Sequence, residues 1–190
     1  MSIQERRERE RAERERLIIA AARKVAETEG WDAVTTRRLA AEIDYSQPVL
    51  YSHFSGKNAI MTAVAVEGFA DLAAALRAAR EAANGPRQAL AGVAAAYADF
   101  AQRQPALYEA MFAGPVDVPF ASPQSPAPLR AAFAELCAAV TPFTGDDEPG
   151  TLAETFWSGL HGLLTLLRDG RVRTEEHEAR LALLLRRLAR

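Results

Sequence analysis

A short stretch of chain after residue 45 brings together side chains that can form directional hydrogen bonds. Gln47 carries an amide, Ser52 a hydroxyl and His53 an imidazole. An amide can bind adenine through two hydrogen bonds, and Pro48 or Val49 can contact a thymine methyl group. Side chains of this kind on one surface have the chemistry to read base pairs in the major groove of DNA.

Two apolar residues predict how a helix presents these groups. Leu50 and Phe54 lie four residues apart, which places them on one buried face. Ser46 can cap the helix, and Pro48 suits its first turn because backbone N–H groups there have no intrahelical partner. The amide, the hydroxyl, the imidazole and the proline ring are then expected to face outward.

A second short helix is predicted immediately before the first. Either Thr35 or Thr36 can cap it with a hydroxyl group. Its apolar face comprises Leu39, Ala40 and Ile43. Two short amphipathic helices joined by a tight turn are compatible with a helix-turn-helix, although ordinary packed helices with polar outer faces give the same pattern.

Basic residues near the two helices are candidate phosphate contacts. The chain has a formal net charge of -2, and residues 1–60 hold 11 Lys+Arg against 10 Asp+Glu. DNA binding therefore requires a local patch, for which Arg37, Arg38 and Lys57 are the candidates. The full set of candidate DNA-binding residues is Thr35, Thr36, Arg37, Arg38, Ser46, Gln47, Pro48, Val49, Tyr51, Ser52, His53 and Lys57.

The stretch from residue 35 to residue 57 resembles the DNA-binding segment of the TetR family of bacterial transcriptional regulators. The resemblance rests on the helix that starts with Thr, the Leu-Ala pair at 39–40, and the residues Tyr51, His53, Phe54 and Lys57. It implies a sequence-specific DNA-binding regulator, with repression as the commoner behaviour. Asp44 stands where most members have a turn glycine, and Arg38 stands where many have an acid. Both departures could alter which operator is read.

The remaining sequence predicts an all-α fold with about nine helices. A three-helix head with helix-turn-helix, residues 1–60, is expected to precede a helical regulatory and dimerisation bundle, residues 61–190. The clearest break lies at 84–86, and loops are predicted at 114–128 and 141–150. A core helix over 17–29 should end at Gly30.

Residues 5–16 alternate Glu and Arg. Opposite charges four residues apart support an exposed helix, so the segment can be a solvated extension. Alternatively, Arg7, Arg11 or Arg14 reaches the minor groove or the phosphates beside the operator.

The last two predicted helices, 152–167 and 174–188, are rich in leucine. Their apolar stripes can form an internal core or a surface for a second copy of the chain. In the TetR family the final two helices form the homodimer interface, which the resemblance implies here. A homodimer would read an inverted-repeat operator with half-sites about 34–36 Å apart, or a multiple of that spacing.

Aromatic residues in the regulatory half can line an apolar cavity for a small-molecule effector. They can equally be plain core, and most support for a cavity comes from the family resemblance. His161 is better explained as a core histidine than as a ligand-binding group. The candidate ligand-binding residues are Tyr97, Phe100, Tyr108, Met111, Phe112, Phe133, Phe156, Trp157 and His161.

Several other functions lack support in the sequence. Cys137 is the single cysteine, which excludes an intrachain disulfide and suits the cytoplasm. No apolar run is expected to span a membrane. Catalytic spacings, metal-ligand clusters and cofactor motifs are absent, so we expect no enzymatic activity, metal or cofactor. The main alternative to a regulator is a helical protein-protein adaptor that binds no DNA.

Overall fold

The computed structural model of the protein describes residues 2–114, 116 and 118–189. These residues form nine α-helices and no β-strand, which confirms the predicted all-α fold. The helices are α1 (Ile3–Glu29), α2 (Thr36–Glu42), α3 (Gln47–His53), α4 (Lys57–Glu81), α5 (Pro86–Arg103), α6 (Pro105–Phe112), α7 (Ala127–Val140), α8 (Pro149–Arg168) and α9 (His177–Leu188). Short 3-10 helices lie at Trp31–Ala33, Thr141–Phe143 and Thr174–Glu176.

The chain divides into two compact units. The first comprises Met1–Gly68 and Gln104–Gln124, and the second comprises Phe69–Arg103 and Ser125–Arg190. The first unit therefore holds α1, α2, α3 and α6. The predicted boundary after residue 60 stays a prediction, and α4 runs through that position without a break.

The core of the first unit forms around the second half of α1. Ile18, Ala22, Val25 and Ala26 form a buried stripe along it, as expected for the predicted core helix over 17–29. Leu39 of α2 and Leu50 of α3 are also completely buried, and both helices pack on α1. Gly30 ends α1 with a φ of 82°, a left-handed conformation that favours glycine.

Polar contacts attach α6 to α1 and to the turn that follows α1. The indole Nε1 of Trp31 donates a hydrogen bond of 2.8 Å to the carbonyl of Ala106. Arg23 donates to the side chain of Gln104, just before α6 begins. The ring of Trp31 is itself buried, so this side chain acts as a structural contact within the unit.

The charged N-terminal segment is the exposed first half of α1. Ser2 and Glu5 form a capping box, so the helix begins well before the predicted core segment. Arg11 and Glu15 form an ion pair of 2.9 Å on the following turns. The segment is therefore helical and continuous with the core.

The second unit contains α5, α7, α8 and α9 together with the second half of α4. Tyr97 of α5 and Phe156 of α8 are completely buried in it. Glu135 of α7 is also buried and binds Arg77 and Arg80 of α4, each at 2.8 Å. The ion pairs therefore attach the end of α4 to α7.

Two features of the middle of the chain bear on the predictions. Helix α4 is long and apolar enough to cross a bilayer by length and composition alone, but half of its most apolar stretch is buried in the fold, as in a core helix. Helix α7 begins at Ala127, within the predicted loop 114–128, because Pro128 fits the first turn of a helix. Residues 115 and 117 of that loop lie outside the described residues.

Candidate DNA-binding surface

Helices α2 and α3 form the expected pair of helices joined by a tight turn. The Thr35 hydroxyl caps α2 by accepting a hydrogen bond of 3.1 Å from the backbone N–H of Arg38. Asp44 turns the chain with a φ of 55°, a left-handed conformation that Asp adopts more readily than most residues. Ser46 occupies the N-cap position of α3, but its side chain makes no capping hydrogen bond within the part described.

The outer face of α3 has the composition that the sequence predicts, with one exception. Gln47, Pro48, Tyr51 and Ser52 are exposed, and their spacing places them side by side on one face of the helix. Tyr51 is 55% exposed. This face offers an amide, an apolar ring, a phenol and a hydroxyl to a partner, whereas Val49 is half-buried.

Tyr51 also connects the two helices. Its phenolic oxygen lies 3.3 Å from the hydroxyl of Thr36 at the start of α2. The hydroxyl of Ser52 donates a hydrogen bond of 2.7 Å to the carbonyl of Val49 within α3. The phenol of Tyr51 and the hydroxyl of Ser52 therefore each have a hydrogen-bond partner within the helix pair.

His53 is the exception on α3, because the expectation that it faces outward is wrong. Its side chain is only 6% exposed, and its Nδ1 lies 3.3 Å from Oε1 of Glu15 in α1. Sequence reasoning missed Glu15 because it lies far from His53 in the chain and is one of many similar residues in α1.

Arg38 is engaged by carboxylates of its own unit rather than directed freely outward. It donates to Glu42 at 2.6 Å and to Glu29 at 2.9 Å. Hydrogen bonds from Lys24 and Arg38 lower the pKa of Glu42 to about 2. The network connects α1 with α2, which gives Arg38 a structural role that the predicted phosphate contact did not include.

The other two cations of the predicted patch differ from each other. The ammonium group of Lys57 donates a hydrogen bond to the carbonyl of Trp31 and so connects the start of α4 to the turn after α1. Arg37 is exposed on α2 and makes no ion pair with any residue that the structure describes. Of the three, Arg37 has the guanidinium group best placed for an external anion.

The predicted ligand-binding residues are divided between the two units. Tyr108, Met111 and Phe112 belong to α6 in the first unit. The second unit holds Tyr97, Phe100, Phe133, Phe156, Trp157 and His161. Their grouping around one cavity stays a prediction.

A polar contact lies among the aromatic residues of the second unit. The indole Nε1 of Trp157 donates a hydrogen bond of 2.8 Å to the hydroxyl of Tyr97. The ring of His161 lies 6.0 Å from that of Trp157, centroid to centroid. Burial and the nearby positive charge of Arg168 lower the pKa of His161, which favours the neutral imidazole.

Comparison with known families decides what kind of protein carries this surface. Residues 18–64 match the family described as bacterial regulatory proteins, tetR family. Residues 90–188 match the family described as tetracyclin repressor-like, C-terminal domain. The chain belongs to the TetR family. It is a DNA-binding regulator of transcription whose helix-turn-helix is formed by α2 and α3.

The chain is also similar to individual known proteins. The chain is 30% identical over 155 residues to an HTH-type transcriptional regulator of Mycobacterium tuberculosis, covering 80% of this chain and 69% of the relative. A solved protein of unknown function from Rhodococcus sp. RHA1 is 28% identical with a TM-score of 0.75, covering 93% of this chain and 95% of that one.

The TetR family regulator PfmR from Thermus thermophilus has the same fold. Its TM-score is 0.63 at 23% identity, covering 89% of this chain and 97% of that one. The segment before residue 18, which includes Arg7, Arg11 and Arg14, lies outside both matched TetR family regions.

Proposed function

We propose that this TetR family protein is a cytoplasmic, non-catalytic homodimeric repressor that binds an inverted-repeat operator and is released by an apolar or aromatic small molecule. The exposed face of α3, formed by Gln47, Pro48, Tyr51 and Ser52, is the observation that carries the DNA-binding part. Its groups suit base and phosphate contacts, and Leu50 anchors the opposite side of the helix in the core.

Each group on this face has a distinct role in the proposal. Gln47 pairs with adenine, and Pro48 contacts a thymine methyl group. Tyr51 and Arg37 bind phosphates and set the register of α3 on the duplex. The hydroxyls of Thr35, Thr36 and Ser46 and the edge of Val49 supply further contacts. Arg38, His53 and Lys57 act mainly by holding the helices in place, because their side chains already have partners in the protein.

The exposed leucines of α8 and α9 support a second copy as the partner of the regulatory half. Leu166 is 44% exposed and Leu183 is 46% exposed. Within the described chain, no residue of α9 is fully buried, although α9 carries many leucines. An apolar helix covered on one side only is stabilised by a symmetric partner that buries the other side.

The apolar residues of α8 lie on two different sides of the helix. Phe156, Leu160 and Leu164 are buried inside the unit, so they belong to its core. The more exposed side includes Leu163, Leu166 and Leu167. We therefore assign the proposed dimer surface to this side of α8 and to the outer side of α9.

Effector control follows from linkage. Suppose that a small molecule binds more tightly when the two DNA-binding heads of the homodimer are wrongly spaced for the operator. That molecule then lowers the affinity for the operator, and DNA lowers the affinity for the molecule by the same factor. The buried aromatic residues of the second unit, with the polar edge of Tyr97 and Trp157, support an apolar or aromatic ligand.

Selection of duplexes from a random DNA pool tests the DNA-binding part. We expect the wild-type chain to select an inverted repeat. The Gln47→Ala and Tyr51→Ala variants should each bind the selected duplex about tenfold more weakly while remaining folded dimers. Gln102→Ala, which removes an exposed amide from α5, is the matched control and should bind normally. An adaptor without DNA binding would select no sequence.

Sedimentation tests the dimer surface. Leu166→Glu and Leu183→Glu should shift the wild-type dimer towards monomer, because each places a charge in an apolar contact. Leu17→Glu is a matched control, since Leu17 of α1 is 43% exposed but lies in the other unit. A wild-type monomer, or dimers that persist in both variants, would contradict the assignment.

Thermal-shift screening with apolar and aromatic compounds tests effector control. A compound that raises the Tm should also weaken binding to the selected duplex in proportion to its occupancy. Stabilising compounds that leave DNA affinity unchanged would argue against release by ligand.

A further inference from the structure

We propose that Glu15, in the N-terminal half of α1, is a positioning residue for DNA recognition that acts on α3 through His53. This inference rests on the proposed DNA-binding function. It also gives the charged first half of α1 a role that does not require the segment to touch DNA.

The contact itself is specific in geometry. Nδ1 of His53 lies 3.3 Å from Oε1 of Glu15, and the imidazole is almost completely enclosed. An ionised carboxylate only accepts hydrogen bonds, so the contact requires the ring proton on Nδ1. Arg11 binds the same carboxylate oxygen at 2.9 Å from one turn earlier in α1. The carboxylate is therefore held between a guanidinium group and an imidazole.

The anchoring of α3 shows why this contact can matter for recognition. The helix has only seven residues, and Leu50 is the single one that is fully buried. One apolar anchor fixes the distance of a short helix from the core but leaves its rotation weakly defined. His53 lies three residues after Leu50, on the same side of the helix, and supplies a second fixed point.

His53 lies at the end of α3, so its contact with Glu15 also influences the position of the exposed face of the helix. Gln47 and Pro48 occupy the first turn of the helix, while His53 is its last residue. Rotation about the Leu50 anchor would displace both base-contacting groups relative to the duplex. Hydrogen bonds to bases depend on distance and angle, so such a rotation weakens specific binding more than phosphate attraction.

Electrostatic repulsion alone predicts the opposite change in DNA affinity when Glu15 is removed, which makes the inference testable. Removing an acidic group near a DNA-binding surface should strengthen binding to any duplex, because the polyanion is repelled less. Loss of positioning should instead weaken binding to the selected duplex. Glu13→Ala is the matched control, since Glu13 lies on the same part of α1 and pairs with Arg16 rather than with α3.

Fluorescence anisotropy with the duplex selected by the wild-type chain, and with a random duplex, measures both effects. We expect Glu15→Ala to bind the selected duplex about tenfold more weakly than wild type, with affinity for the random duplex unchanged or higher. Glu13→Ala should bind the selected duplex at least as tightly as wild type. Equal affinity of Glu15→Ala and Glu13→Ala for the selected duplex would overturn the proposal.

A double-mutant cycle tests whether Glu15 acts through His53. His53→Ala and the double variant should lose about as much affinity as Glu15→Ala, because one contact is removed in all three. Additive losses would overturn the proposed route. If the alanine variants unfold at the assay temperature, Glu15→Gln and His53→Gln keep the side-chain size and serve for the same cycle. Failure of the wild-type chain to select any duplex would instead reject the proposed function.

Discussion

Glu27 of α1 caps the first turn of α6 through the backbone N–H of Leu107. Its Oε1 accepts that hydrogen bond at 2.9 Å, and its Oε2 accepts one from the N–H of Ala106 at 3.3 Å. First-turn N–H groups have no intrahelical partner, so a carboxylate from another helix satisfies them and is favoured by the helix dipole. With the bond from Trp31 to Ala106, this cap makes α6 part of the unit that holds α3.

Removing the cap should loosen α6 from α1. We expect Glu27→Ala to lower the free energy of unfolding by about 1–2 kcal/mol, because two partly buried donors lose their acceptor. Glu27→Gln retains one acceptor oxygen and should lose less. Urea denaturation measures the stability, and hydrogen exchange should show faster exchange at Ala106 and Leu107. Unchanged exchange at both amides in Glu27→Ala would rule out the capping role.

The buried carboxylate of Glu135 should contribute more to stability than an exposed one. Burial alone would raise the pKa of Glu135, but hydrogen bonds from Arg77 and Arg80 outweigh it and hold the pKa below its usual value. Glu135→Gln should therefore cost about 1–3 kcal/mol, since it weakens two charge-assisted hydrogen bonds between α4 and α7.

The exposed pair between Asp99 and Arg103 provides the comparison for Glu135. It lies within α5 and is open to solvent on both sides. Asp99→Asn should lower the free energy of unfolding less than Glu135→Gln does, because surface ion pairs contribute little. Urea denaturation of both variants measures the two losses in free energy of unfolding. Equal losses would show that burial adds nothing at Glu135.

Acid should destabilise the first unit through Glu42. The pKa of this carboxyl group is lowered to about 2 in the folded protein, from an ordinary value of 4.5. A lowered folded pKa contributes stability above the unfolded value, and that stability is lost as pH falls from about 4.5 towards 2. The Tm of the wild type should therefore fall more steeply over this range than that of Glu42→Gln. Parallel Tm curves for the two proteins would contradict this.

Local signals in the sequence predict much of the first unit. Gly30 and Asp44 mark backbone conformations with positive φ, and the buried stripe that includes Ile18 follows the helical period. Each of these features depends on neighbours within a few residues. The cap by Thr35 is of the same kind and is also confirmed.

Contacts between distant residues are what the sequence does not predict. His53 and Arg38 have the types of residue that bind phosphate, yet their partners Glu15 and Glu29 lie on α1 and are not marked by any local pattern. The leucines of α8 are a second case in which the sequence alone is insufficient. Periodicity predicts a broad apolar surface, but it cannot distinguish the part that covers the unit's own core, such as Leu160, from the part left exposed, such as Leu166.

Arg37 and Arg38 should respond differently to substitution, although they are adjacent in α2. Arg37 is exposed and has no ion pair in the region that the structure describes, so Arg37→Ala should weaken binding to all duplexes and reduce the salt dependence, d log K/d log[salt], by about 1. Arg38→Ala should mainly lower the free energy of unfolding, because it leaves Glu29 and Glu42 with one cation fewer. Salt titrations of DNA binding and urea denaturation on both variants separate these effects. A lower salt slope for Arg38→Ala with wild-type stability would instead place Arg38 on a phosphate, which would mean that its ion pairs open when DNA binds.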